Sequence, residues 1–393
     1  MSAAPAQEIR VKCRAMNARL LGRAEYDVLM SKKSVADIAI YLKKETSYAD
    51  ALSGIDENDV HRGQLERAFR KSLYADYERL LKFVTGGYRS VIRAMFEAYE
   101  IDDLKQVISS ICSANERYLS PEDIEYTRAY SKIPVASLLG AATMEALVEN
   151  LRHTRFYKAL APFASREGEQ PDFMKIDNAL NLVNYKAKMD ALTKHDPGRG
   201  GGGAVALFGY TVDIENILFV YRIKKLFGYP ASRIVPYLIP GYFRIGQKFL
   251  YALAECDDIV AMEGMIEKSA YGFLFPASRE SEWEALRSGL FYGLHRKNLR
   301  ASGQIASVPS IGGAGGGAGG GAGGGAGGSA ALSYLYLKET DMKNIIMIVE
   351  GVRYSQPTGR IASFLIGYGP SSGGGKLASK NIAIRRNRGN MRK

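Results

Sequence analysis

Tyr210-Thr211-Val212-Asp213-Ile214-Glu215-Asn216-Ile217-Leu218-Phe219-Val220-Tyr221-Arg222-Ile223-Lys224-Lys225 has the form Asp, apolar, any residue, Asn, apolar, followed by a helical pattern. The form returns at Asp341-Met342-Lys343-Asn344-Ile345, and a looser copy stands at Glu100-Ile101-Asp102-Asp103-Leu104. The copies lie 113 and 128 residues apart, and the second spacing falls to 110 once the 18-residue glycine tract from Gly312 to Ser329 is removed. Apolar residues follow at i, i+3, i+4 and i+7: Ile214, Ile217, Leu218, Tyr221, and again Met342, Ile345, Ile346, Val349. Ile101, Leu104 and Ile108 repeat the stripe, with Lys105 interrupting it. Each is one buried face of a helix. An Asp opening such a pattern predicts a helix start, where its carboxylate meets the free amides of the first turn. Recurrence at a near-constant interval predicts one structural unit used three times.

A second box has the same period. Thr46-Ser47-Tyr48-Ala49-Asp50-Ala51-Leu52 is matched by Thr154-Arg155-Phe156-Tyr157-Lys158-Ala159-Leu160 and by Ser269-Ala270-Tyr271-Gly272-Phe273-Leu274, 108 and 115 residues apart. The two boxes alternate, so the chain begins and ends halfway through a unit. The last half-unit, 330 to about 368, is therefore expected to pair with the first, 8 to about 60, closing a ring where a solenoid would leave its ends apart. The units are expected at about 97–200, about 205–305, and about 330–368 joined to 8–95, together one body over 1–370.

Helical periodicity runs through 8–52 and through 59–83, 88–112, 120–131, 135–160, 172–194, 213–228, 241–270 and 279–299, with no period-2 strand. The fold class is all-α. Pro134, Pro236, Pro240 and Pro276 mark connections. The tract 312–329 repeats Gly-Gly-Gly-Ala and is expected to be a flexible coil spanning about 20–25 Å. Gly198 to Gly203 satisfies GxGxxG but follows a helical pattern where a dinucleotide site needs a strand. Gly373-Gly374-Gly375-Lys376 lacks the hydroxyl and the leading glycine of a phosphate loop.

The apolar content of 46% supports a sizeable core. The net charge of +12 is uneven: Lys376, Lys380, Arg385, Arg386, Arg388, Arg392 and Lys393 supply 7 of it without one acid. The remaining body is mixed in charge, which argues against nucleic acid as the main partner. The segment 371–393 reads as a disordered basic tail. Cys13, Cys112 and Cys256 are far apart and fit buried thiols in a reducing compartment. The start of the chain has no signal pattern, and the richest apolar stretches are cut by Arg222, Lys224, Lys225, Pro236 and Pro240, so no membrane span is expected.

No chemistry emerges. His61, His153, His195 and His295 share no metal-ligand spacing. There is no GxSxG elbow, and no cysteine stands out as a nucleophile. Asp102-Asp103 and Asp257-Asp258 read as helix-start charges, and Trp283 as a packing residue. No catalytic residue, cofactor or metal is expected. The residues singled out are those of the boxes: Glu100, Asp103, Asp213, Asn216, Asp341 and Asn344, with Thr46, Tyr48, Thr154, Phe156, Ser269 and Tyr271.

Lys12-Cys13-Arg14-Ala15-Met16 through Leu20-Leu21, Tyr26-Asp27-Val28-Leu29, and Leu42 through Tyr48 resemble the opening of the C subunit of archaeal and bacterial A/V-type ATPases, related to the d subunit of the vacuolar enzyme. The Asp213 and Asp341 boxes, Arg222 and Leu238-Ile239-Pro240-Gly241 resemble that family's internal repeats. The resemblance implies a three-lobed, pseudo-threefold helical funnel that takes no part in catalysis. It would receive the central shaft on its wide side and rest on the membrane's proteolipid ring, peripheral to the cytoplasmic face. The alternative from another class is a helical scaffold or RNA-binding protein acting through the basic tail.

Overall fold

In the computed structural model the described residues are 3–113, 133, 138, 140–164, 172–195, 203–241, 243–272, 295, 297–299 and 326–368. They are helical, with no strand among them. The chain opens with α1 (Ala3–Asn17), α2 (Arg23–Met30), α3 (Val35–Glu45), α4 (Ala49–Leu52), α5 (Arg62–Phe83) and α6 (Gly86–Ser113). Then come α7 (Met144–Asn150), α8 (Tyr157–Leu160), α9 (Phe173–His195) and α10 (Ala204–Phe227). The remainder is α11 (Ala231–Ile234), α12 (Gln247–Glu255), α13 (Ile259–Lys268), α14 (Ala326–Arg353) and α15 (Thr358–Phe364).

Local chemistry sets several boundaries. The Ser34 hydroxyl accepts from the Asp37 amide to start α3, and Thr143 accepts from Ala146 to start α7. His61 and Gln64 cap α5 reciprocally, each side chain accepting from the other's amide. Asp258 caps α13 as expected, accepting from Val260. Gly228, at φ +58°, closes α10 in the left-handed conformation that glycine tolerates. Just beyond α14, Ser355 adopts φ +51° without being a glycine.

Three long helices, α6, α10 and α14, organise the packing. Their first halves share one apolar cluster: Tyr88 and Phe96 of α6, Ala204 of α10, and Ala330 and Tyr334 of α14 join Cys13 of α1 and Tyr77 of α5. Their second halves each enter a separate cluster. Ile101, Leu104 and Ile108 pack with Leu147, Phe156, Leu160 and Leu180. Ile214, Ile217 and Tyr221 pack with Leu250, Met262 and Tyr271. Ile345, Ile348 and Val349 pack with Leu29, Ile38, Tyr48 and Phe69, so the end of the described chain shares a core with its beginning.

Four expectations are corrected. The Asp boxes do not start helices: Asp213, Asp341 and Asp103 lie well inside α10, α14 and α6. The amides that Asp213 and Asp341 accept from belong to loops and not to the first turn of their own helix. The runs 135–160 and 241–270 are each broken, at Leu151–Phe156 and at Cys256–Asp258. Ala326–Ser329, the end of the glycine tract, is helical and opens α14, and Ser329 is buried. The rest of that tract, the helix at 120–131, Trp283, most of 279–299, the loop before Gly203 and the basic tail lie outside the described residues. Among the described helices, α10 is long and apolar enough to cross a membrane by length and composition, unlike the expectation that the charges of this stretch would interrupt it. Most of it is buried inside the protein, with Asp213 and Asn216 at its middle.

Candidate functional site

Asp213 is fully buried, yet its carboxylate is saturated. It accepts from the amides of Phe243 (3.1 Å), Arg244 (2.7 Å) and Ile245 (3.2 Å), and from the Tyr271 hydroxyl (2.8 Å). One turn further on, Asn216 uses both ends of its amide: Oδ1 accepts from Ile239 N (2.8 Å) and Nδ2 donates to Ile239 O (2.9 Å). A carboxylate and a carboxamide on one helix face thus pin the loop before α12 and the turn after α11, which satisfies backbone groups that burial would otherwise strand.

Asp341 and Asn344 do the same on α14. Asp341 accepts from the Tyr26 hydroxyl (2.6 Å), the Tyr48 hydroxyl (2.8 Å) and the Leu21 amide (3.3 Å), across 315, 293 and 320 residues. Asn344 holds both the amide and the carbonyl of Ile366 at 2.9 Å. Burial pushes the Asp341 carboxyl above the usual carboxylate range, against the opposing pull of the two tyrosines and Lys338. Burial lowers the Lys338 ammonium. That ammonium lies 3.9 Å from the Tyr48 ring centroid and 3.8 Å from Asp76.

The closing boxes share one local device. The Thr46, Thr154 and Ser269 hydroxyls donate to Leu42 O (2.6 Å), Leu151 O (2.8 Å) and Ile266 O (2.6 Å). Each accepts from the amide two residues on, at Tyr48 (3.2 Å), Phe156 (3.2 Å) and Tyr271 (3.1 Å). These bonds turn the chain and aim an aromatic ring into the core. At Phe156 that ring has no hydroxyl, so the link to an acidic box that Tyr48 and Tyr271 make cannot form. Glu100 and Asp103 are buried on α6 instead, and Arg70 reaches Asp103 at 3.2 Å. Arg155 stacks over Phe156 and pairs with Glu97. Lys105 ties α6 to α9 through Asp177 (2.8 Å) and Asn181 (2.6 Å).

Between α6, α9, α10 and α14 lies a chamber of about 390 Å³. Its walls carry the carboxylates of Asp102, Glu215 and Glu339 and the ammonium of Lys188. Asp102 and Glu215 keep exposed surface. Burial raises both carboxyls above the usual range and lowers Lys188 below the usual lysine range. Sequence reasoning missed this chamber, as well as Tyr26 and Lys338 as partners of Asp341. Lys338, one turn before Asp341, was the available signal.

A family described as the ATP synthase (C/AC39) subunit matches residues 9–308. The chain belongs to that family. The C subunit of the A-type ATP synthase of Methanosarcina mazei is 23% identical over 252 residues, covering 62% of this chain and 65% of the relative. The corresponding C subunits of Methanothermobacter thermautotrophicus and Methanobrevibacter smithii are 21% and 22% identical. Those matches cover 87% and 90% of this chain and 82% and 86% of the relatives. The match to the Methanosarcina mazei protein thus spans slightly less than two thirds of its length. The family match takes in α6, α10 and the Leu21, Tyr26 and Tyr48 partners of Asp341, while α14 itself lies beyond residue 308.

Proposed function

We propose that this protein is the central-stalk coupling component of an A/V-type ATP synthase, a passive socket between the rotating shaft and the membrane's proteolipid ring. It forms a three-lobed funnel with pseudo-threefold symmetry, one lobe each around α6, α10 and α14, the last closed by α1–α5. It catalyses nothing itself and sits peripherally on the cytoplasmic face. The lobes correspond to about 97–200, about 205–305, and about 330–368 with 8–95, and the box residues are their fastenings.

The observation that carries this reading is the pair of matched networks at Asp213 and Asp341. A torque-transmitting part has to be stiff, and close-packed helices fastened by buried, saturated polar side chains resist shear better than loops. The second network joins residues some 300 positions apart and so fastens the opening helices to α14. The chamber between the three long helices supports the same reading, as a recess on the axis of such a funnel.

Depleting the protein from the assembled enzyme tests the proposal. ATP hydrolysis by the soluble head should continue while ion transport ceases, and re-addition should restore transport. Coupled transport that persists without the protein would refute it.

A further inference from the structure

α6, α10 and α14 start, and α5 and α9 finish, at one end of the body. Leu80, Tyr88, Leu192, Ala204 and Ala330 share an apolar cluster there with Ile9 of α1. The Lys12 ammonium lies 5.9 Å from the Phe83 ring centroid, and Arg89 Nη1 donates to Leu81 O at 2.9 Å. A Cβ on Gly87 would lie 2.6 Å from His195, so the last turn of α9 sits against the first turn of α6.

Two acid-free runs meet at this end. Ile9 to Ala24 carries Arg10, Lys12, Arg14, Arg19 and Arg23, and Arg79 to Phe96 carries Arg79, Lys82, Arg89 and Arg93. Arg10, Arg14, Lys82, Arg89 and Arg93 are exposed, as is Lys194 in the last turn of α9, and Lys12 is half-buried. Glu8, Asp190 and Glu78 oppose them, the last pairing with Lys82 at 2.5 Å. Buried Asp76 already pairs with Arg79, and Glu97 with Arg155. Among the described residues, seven cations thus stand against three acids, which concentrates here most of the +5 that the chain carries outside its basic tail. Val11 and Phe83 stand among these cations 65% and 42% exposed. That combination suits an anionic bilayer, whose headgroups take the cations while apolar side chains enter the boundary beneath them. A nucleic acid would use the cations and leave Val11 in water.

We propose that this end of the body, presented by α1, α5, α6 and α9, is a lipid-facing surface that binds anionic headgroups independently of the tail 376–393. Resting on the socket reading above, it is the end turned toward the membrane, and the lipid contact holds the protein at the bilayer beside the proteolipid ring.

Co-sedimentation of the purified full chain with vesicles tests this surface. Phosphatidylcholine vesicles containing phosphatidylglycerol should bind it, vesicles of phosphatidylcholine alone should not, and added salt should weaken the binding. Changing Arg10, Arg14 and Lys194 together to glutamate should weaken partition at least roughly 30-fold. The gentler Arg10→Gln, Arg14→Gln, Lys194→Gln variant should fall between the two, which a loss through misfolding would not produce. Equal binding to neutral vesicles, or partition that both variants leave unchanged because the tail alone carries it, would overturn the proposal. So would variants that keep their lipid partition but lose binding to the delipidated proteolipid ring, since the surface would then belong to a protein partner. The vesicle assay contains neither shaft nor ring, so its failure leaves the socket reading standing. A chain that binds vesicles but no component of the shaft counts against the socket reading alone.

Discussion

Asp341→Asn probes the seam most sharply. The carboxylate accepts three hydrogen bonds, two from tyrosine hydroxyls and one from a backbone amide, all contributed by the first 48 residues. Asparagine keeps one oxygen, which can stay with Tyr26. Its Nδ2 then meets the Leu21 amide donor against donor, while the Tyr48 hydroxyl has to turn and accept, exchanging a bond to a charged group for a neutral one. Two hydrogen bonds to a charged group are lost, at about 1.5–3 kcal/mol each. Removing a carboxylate whose burial is unfavourable recovers part of that, as its raised proton affinity indicates. With the neutral bond from Nδ2 to Tyr48 regained, the net loss is about 2–3 kcal/mol, which multiplies local opening by roughly 30- to 160-fold. Amide hydrogen exchange followed by mass spectrometry reads this directly. Protection should fall together in α2–α4 and in the second half of α14, while α12 and α13 keep theirs. A loss under tenfold, or one confined to α14, would refute the inference that Asp341 fastens the two ends.

Tyr271→Phe should cost about 1.5–3 kcal/mol by denaturant unfolding. Asp213→Ala should cost more, because it also strands the amides of Phe243, Arg244 and Ile245. Ser355→Gly relieves a left-handed backbone in a residue that has a Cβ and should stabilise by about 0.5–1 kcal/mol, seen as a higher Tm. Burial pushes the Cys13 thiol up to about 12 from 9.0. Its folded pKa is raised, so its contribution is complete below pH 9 and is lost as pH climbs toward 12. Cys13→Ala should flatten that alkaline limb, and native Cys13 should resist thiol reagents that modify the half-buried Cys112 and Cys256. His295, lowered by burial to about 4, works in the opposite direction: its contribution is present above pH 6.5 and lost as pH falls toward 4. His295→Phe should therefore flatten the acid limb of a stability–pH profile.

The box residues were legible because their repetition outweighed any local reading. Period and apolar stripe together marked segments that lie in α6, α10 and α14, and the Tyr48 hydroxyl of the first closing box donates to Asp341 of the last acidic box. The meaning of the acidic position was misread. An Asp before an apolar stripe is the commonest sign of a helix start, and nothing local distinguishes it from an Asp buried mid-helix to serve loop amides. That difference lies in Phe243–Ile245, some thirty residues away. The breaks at Leu151 and Cys256 were hidden for a related reason, since the apolar pattern continues through short turns. The chamber was illegible because it arises from four helices whose order in space no single stretch encodes. Asp102 and Glu215 occupy the same place in their boxes, yet only the packing turns both toward one cavity.

The coupling role has one most direct test. With Thr211, on the chamber wall, replaced by cysteine, the protein would be joined by disulfide to a cysteine on the shaft in the assembled enzyme. If the two turn as one body, the cross-linked enzyme should hydrolyse ATP and move ions at close to its uncross-linked rate. Arrest of turnover by the cross-link would place this chain with the stationary parts and contradict the account.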